Sequence, residues 1–160
     1  MQKWEKLKAG LAGKNSYIFY QKEHKMNISR FYEPQKLFFD VALREIKAGC
    51  KQSHWMWYIF PQLKSLGYSH NAIFYGLENT EEAREFYNDS YLGGNLREIC
   101  RALLECESND ALEVFGYPDN LKLCSSMTLF YIATEDKLFA DVLEKFYGGK
   151  QDELTLNQIR

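Results

Sequence analysis

The sequence has no long apolar run, no large excess of either charge, no closely paired cysteines and only 3 prolines in 160 residues. Each shortage excludes something. No stretch approaches the roughly 20 apolar residues needed to cross a bilayer, so no membrane span is expected. A formal net charge of −2 gives no basic field for phosphate backbones, which argues against nucleic acid as a partner. The four cysteines, Cys50, Cys100, Cys106 and Cys124, form no C-x-x-C pair. Three of them stand among apolar neighbours at helical spacing and read as buried, reduced thiols. Met1 to Gly10 is interrupted by Lys3, Glu5, Lys6 and Lys8 and does not read as a secretory signal, so a cytoplasmic location is expected. P-loop, G-x-G-x-x-G and H-E-x-x-H patterns are missing, and no cofactor is named by any motif. The three histidines, His24, His54 and His70, lie far apart; Cys50 and His54 have the spacing of one helix face, but Gly49 marks a break between elements there, so no metal site is expected.

Aromatic residues are plentiful. Eleven Tyr, 11 Phe and 3 Trp make 16% of the chain, which calls for a thick, ring-rich core. With 46% hydrophobic and 26% charged residues, the balance is that of an ordinary globular domain. Residues 1–28 differ: they carry six lysines and the patch Tyr17-Ile18-Phe19-Tyr20 without periodicity. They read as an N-terminal extension lying on the domain or on a partner, a second copy included. Residues 29–160 read as a single domain.

Within that domain, helix punctuation is frequent. Pro34 suits a first turn before Leu37, Phe38, Val41, Ala42, Glu45 and Ile46, and Gly49 suits its stop. Ser69 can cap a short helix to Phe74. Asn79 with Glu82 has capping-box spacing. Leu96, Ile99, Cys100, Leu103 and Leu104 form an amphipathic stripe. Asn109, Pro118 with Asp119, and Asp136 each open a further helix. No strand alternation persists, so the expected fold is all-α: a compact multihelical domain of six to eight helices with a buried central aromatic helix.

That central element is Ser53-His54-Trp55-Met56-Trp57-Tyr58-Ile59-Phe60-Pro61-Gln62-Leu63. Trp55 to Pro61 has no polar face and belongs in the interior. Ser53 suits an N-cap and Pro61 a stop, leaving room for about two turns, with a short buried strand as the competing assignment. His54 and Gln62 are the polar ends, each either a satisfied structural group or a group facing a cavity. A second polar cluster runs from Asp119 to Thr128. On a helix Lys122 shares a face with Ser125 and Ser126, which can hold a phosphate or carboxylate. The same residues also suit a solvated lysine with back-bonded hydroxyls, or a Ser–Lys nucleophile pair.

The blocks S-H-W-M-W-Y-I-F-P-Q-L at 53–63 and K-L-C-S-S-M-T-L-F at 122–130 resemble the signature of a bacterial family, domain of unknown function 1810. Phe31 with Gln35, Leu92-Gly93, Phe115-Gly116 and Lys145-Phe146 add to the resemblance, which covers about residues 31 to 156. Gly94-Asn95 and Cys124 depart from it. The resemblance implies a multihelical fold and no established activity. The calpastatin label sometimes attached to such sequences does not suit a compact aromatic chain.

Together the two blocks suggest a pocket between the 53–63 and 119–128 segments. His54, Trp55, Gln62, Lys122, Ser125 and Ser126 would bind a small polar or anionic, nucleotide-like ligand there. One alternative is an enzyme with His54 as general acid or base and Asp119 as the nearest acid in sequence. Another is a protein–protein interaction module, homo-oligomeric through the N-terminal extension.

Overall fold

The computed structural model describes residues 28–159, so the N-terminal extension lies outside the described residues except for Ile28. The chain divides after Arg30, and the unit beginning at Phe31 is considered below. Its helices are α1 (Tyr32–Lys47), α2 (Met56–Ile59), α3 (His70–Tyr75), α4 (Thr80–Asn88), α5 (Ser90–Glu105), α6 (Ala111–Phe115), α7 (Asp119–Thr134), α8 (Lys137–Tyr147) and α9 (Glu153–Ile159), with a 3-10 turn at Lys64–Leu66. Among the described residues there is no strand, only an isolated parallel bridge between Leu63 and Leu77. The fold is all-α and multihelical. Among the described residues no helix is long and apolar enough to cross a membrane. The ninth helix is the addition to the six to eight expected. Asp152 opens it, its carboxylate accepting from the Thr155 N–H at 3.0 Å and the Thr155 hydroxyl at 2.6 Å.

Caps fall where short polar side chains meet the first free N–H groups. Ser69 Oγ accepts from Ala72 N, Asn79 Oδ1 from Glu82 N, and Asp136 Oδ1 from Leu138 N. Asp110, rather than the expected Asn109, caps α6 by accepting from Leu112 N at 2.9 Å. Ser53 does not cap α2 either. Its hydroxyl is committed to Glu45, and Trp55 precedes the helix with no side-chain cap. α2 is one turn instead of two, because Pro61 disfavours helical geometry at Phe60, which sits at φ −122°, ψ 71°.

α1 buries Gln35, Phe39, Ala42 and Ile46, a face turned away from the expected Leu37 and Phe38, which are exposed. The offset has a polar cause. Gln35, only 1% exposed, donates to Tyr58 O at 2.8 Å and accepts from Asn95 Nδ2 at 2.9 Å, joining α1, α2 and α5. A buried amide so satisfied costs little, and it orients the helix.

Two ring clusters make the core. Phe31, Phe86, Phe130 and Phe139 follow one another at centroid separations of 4.9, 5.6 and 5.5 Å. Trp55, Phe60 and Phe115 form a triangle of 6.1, 6.3 and 5.9 Å. These are favourable edge or tilted contacts. α7 runs through the middle, packing on α4, α6, α8 and α9. It buries Leu123, Met127, Leu129, Phe130 and Ala133 along with Ser125, Ser126 and Thr128. α7 contributes the most buried residues, and the expected buried aromatic helix is the single turn α2, followed by extended chain. Leu77 N donates to Gln62 O at 2.9 Å and Lys64 N to Leu77 O at 2.8 Å, fixing that extended part.

Candidate functional site

The site begins with a carboxylate on α1. Glu45 accepts from the N–H groups of Gln52 and Ser53, the Ser53 hydroxyl and the Trp55 indole N–H, at 2.5 to 3.1 Å. Burial alone would raise its pKa, but these four donors, Ser53 foremost, outweigh it and hold the carboxyl at about 2. One ionised side chain thus shapes the loop that carries Lys51 and delivers Trp55, 0% exposed, to the core.

Lys51 is nearly buried, its side chain 7% exposed. Its Nζ lies 2.8 Å from Asp119 Oδ2, donates to Ser53 O at 2.6 Å and stands 4.9 Å from the Trp55 ring centroid. Its own N–H donates to Val114 O at 2.7 Å, tying the loop to α6. Asp119 is the first residue of α7, where a negative charge faces the positive end of the helix dipole. One turn on, Lys122 Nζ lies 3.4 Å from the other oxygen of Asp119 and 5.5 Å from the Trp57 ring centroid. Two ammonium groups therefore share one carboxylate, leaving one positive charge in excess within the trio.

That excess charge borders a concavity. Lys122, Gln62, Trp57, Met56, Phe60 and Tyr75 line a cavity of about 10 Å³, together with Ala72 and Gly76. The space suits a single water-sized group. The Gln62 amide makes no hydrogen bond to a described residue, while its backbone is fixed by the Leu77 bridge. Tyr75 packs against Tyr58 at 5.3 Å, and burial raises the hydroxyl pKa of both, that of Tyr58 to about 12, so both rings stay neutral. Gly76 is required by close approach, because a Cβ there would stand 2.3 Å from Lys64 Cα.

The other residues singled out from the sequence are distributed differently. His54 is exposed and lines a separate groove of about 380 Å³ with Phe38, Val41, Ser53, Trp55 and Tyr58. Trp55 is core, and Trp57 is the indole beside Lys122. Ser125 donates to Leu121 O and Asp152 Oδ2, at 3.2 and 3.0 Å, joining α7 to the start of α9. Ser126 is 0% exposed, its hydroxyl without a hydrogen-bond partner among the described residues. Lys122 and Gln62 come together; His54, Ser125 and Ser126 do not join them in that lining. Lys51 escaped the sequence reading. Its spacing of four from Trp55 is a local hint of cation–π contact, but nothing local pairs it with Asp119, 68 positions on. Among the described residues no group of three or more His, Cys, Asp or Glu is placed to hold a metal.

Comparison with known proteins bears on this geometry. A family described as proteins of unknown function, DUF1810, matches residues 25–159. The chain belongs to the DUF1810 family. It is similar to the crystal structure of the conserved hypothetical protein Rv1873 from Mycobacterium tuberculosis, at 40% identity and a TM-score of 0.81. That likeness covers 83% of this chain and 96% of the mycobacterial one. No curated protein matches. Family membership fixes the fold expected of this DUF1810 chain and brings no activity with it.

Proposed function

We propose that this DUF1810 protein binds a small anion-bearing ligand at Lys122 and Gln62, between the 53–63 and 119–128 segments. The observation that carries this reading is the shared carboxylate. Lys51 and Lys122 both lie against Asp119, so the trio has one positive charge unmatched, beside a ring-lined cavity. A partly desolvated ammonium without a full partner is costly, and an incoming anion relieves that cost through charge-assisted hydrogen bonds. Trp57 and Tyr75 supply apolar surface for a ring-bearing ligand body.

Binding is favoured over catalysis. His54, the candidate general acid or base, lines the other groove, where no carboxylate is among the lining residues. Asp119, its expected partner, is engaged by two lysines. An interaction module built on residues 1–28 is an independent alternative, tested by whether their deletion changes oligomeric state.

A thermal-shift screen of nucleotides and metabolites, repeated with Lys122→Ala, tests the proposal. A ligand at 100 times its Kd stabilises by about 2.7 kcal/mol, a readily measured shift. Hits that vanish in Lys122→Ala support the pocket. Hits that persist unchanged in the variant place the ligand elsewhere and refute it.

A further inference from the structure

Resting on that reading of the pocket, we infer that the ligand class is a ring-bearing monoanion, an aromatic carboxylate, and not a phosphate monoester. Two observations carry this beyond a general anion site. One is the charge count. Lys51 and Lys122 against Asp119 leave a single positive charge, and Asp119 is fixed in place because Lys51, 7% exposed, needs it. A second negative charge on the ligand doubles the attraction to a site of charge +1, while the Born cost of desolvating it rises about fourfold. A monoanion matches the site and a dianion overshoots it.

The other observation is space. The cavity of about 10 Å³, which Lys122 and Gln62 help to line, admits one oxygen-sized group. A flat carboxylate can insert one oxygen toward Lys122 and leave the other at the mouth. A phosphate monoester with one oxygen there leaves two further oxygens at the mouth, against the rings of Trp57 and Tyr75. The attached ring then lies across the apolar wall formed by Trp57, Tyr75 and Met56. In this arrangement Asp119 is a specificity-setting residue: a built-in carboxylate that occupies Lys51 and half-occupies Lys122.

A matched probe set isolates the headgroup. Benzoate, phenyl phosphate and benzyl alcohol share a ring and differ in charge; at about pH 8 a phosphate monoester carries close to two charges. Titrations of the full-length chain, followed by amide NMR shifts at low ionic strength, are expected to give benzoate about a tenfold lower Kd than phenyl phosphate, a gap of about 1.4 kcal/mol. Benzyl alcohol should be weaker than both. Lys122→Gln, which leaves the Lys51–Asp119 pair intact, should weaken benzoate by about tenfold. Asp119→Asn raises the site to +2 and should move the preference toward phenyl phosphate.

Phenyl phosphate binding as tightly as benzoate in the wild type, with both lost in Lys122→Gln, overturns the monoanion inference and leaves the anion pocket standing. Binding of neither probe, or binding indifferent to Lys122→Gln, overturns the pocket and the inference with it. If Asp119→Asn does not fold by circular dichroism, the wild-type comparison decides alone.

Discussion

Glu45 lies outside the pocket, yet the loop carrying Lys51 depends on it, and Glu45→Gln tests that dependence. The substitution keeps size and removes charge. One amide oxygen remains for four donors, and the new NH2 confronts the others. Of those donors the Trp55 indole N–H is the costliest to strand, since Trp55 is 0% exposed and has no access to water. An unsatisfied buried donor costs about 1–3 kcal/mol, and bonds to a charged acceptor are worth about 1.5–3 kcal/mol each without adding in full. We expect a loss of about 2–3 kcal/mol at neutral pH.

The depressed pKa gives a second route to the same figure. A carboxyl held at about 2, against about 4.3 when unfolded, corresponds to at most about 3 kcal/mol, less some solvent screening because the group is partly exposed. The folded pKa lies below the unfolded one, so this stability is fully present above about pH 4.3 and is lost as pH falls through about 2. Urea denaturation followed by tryptophan fluorescence, at pH 7 and again near pH 2.5, should show the wild-type advantage over Glu45→Gln shrinking in acid. An equal gap at both pH values, or a gap at pH 7 below about 0.5 kcal/mol, would refute the hub role of Glu45.

Adjacent glycines in α5 should respond in opposite directions. A Cβ at Gly93 would meet Tyr87 O at 1.8 Å, whereas at Gly94 nothing lies within 4 Å. Gly94→Ala should therefore stabilise by about 0.5–1 kcal/mol, and Gly93→Ala should lower the melting temperature sharply. Lys51→Met should cost about 1–3 kcal/mol, because Asp119 loses its 2.8 Å partner and keeps only Lys122 at 3.4 Å, while Lys51→Met with Asp119→Leu should show coupling between the two in a double-mutant cycle. Lys145 Nζ donates to the carbonyls of Leu103, Leu104 and Cys106 at the end of α5. Lys145→Met should accordingly cost about 2 kcal/mol in chemical denaturation.

The helices were legible because their signals are local. Ser69, Asn79 and Asp136 cap as their spacing predicts, and the Leu96–Leu103 stripe is buried as its period requires. What escaped depends on partners distant in sequence. Gln35 takes a core position because Tyr58 O and Asn95 satisfy it, and so Leu37 and Phe38 turn outward. Ser53 looks like a cap in isolation, but Glu45 claims it and Pro61 shortens the helix that follows. At the site, Lys122 and Gln62 were named from the sequence and line one cavity. Trp57 rather than Trp55 is the indole beside Lys122 because the Trp55 N–H is drawn to Glu45. Sequence spacing allows Ser125 an anion contact or a bond back to its own helix; its hydroxyl bonds Leu121 O and also Asp152 near the start of α9, the helix that sequence periodicity does not predict.

The central claim is that Lys122, held beside Asp119 and Trp57, is a site for anions. The most direct measurement is an NMR titration of the wild-type chain with benzoate, following the indole and side-chain amide signals. The account predicts saturable shifts at the Trp57 indole N–H and the Gln62 side-chain amide, with the midpoint moved about tenfold higher by Lys122→Gln. Shifts centred on His54 and Tyr58, or none that saturate, would contradict it.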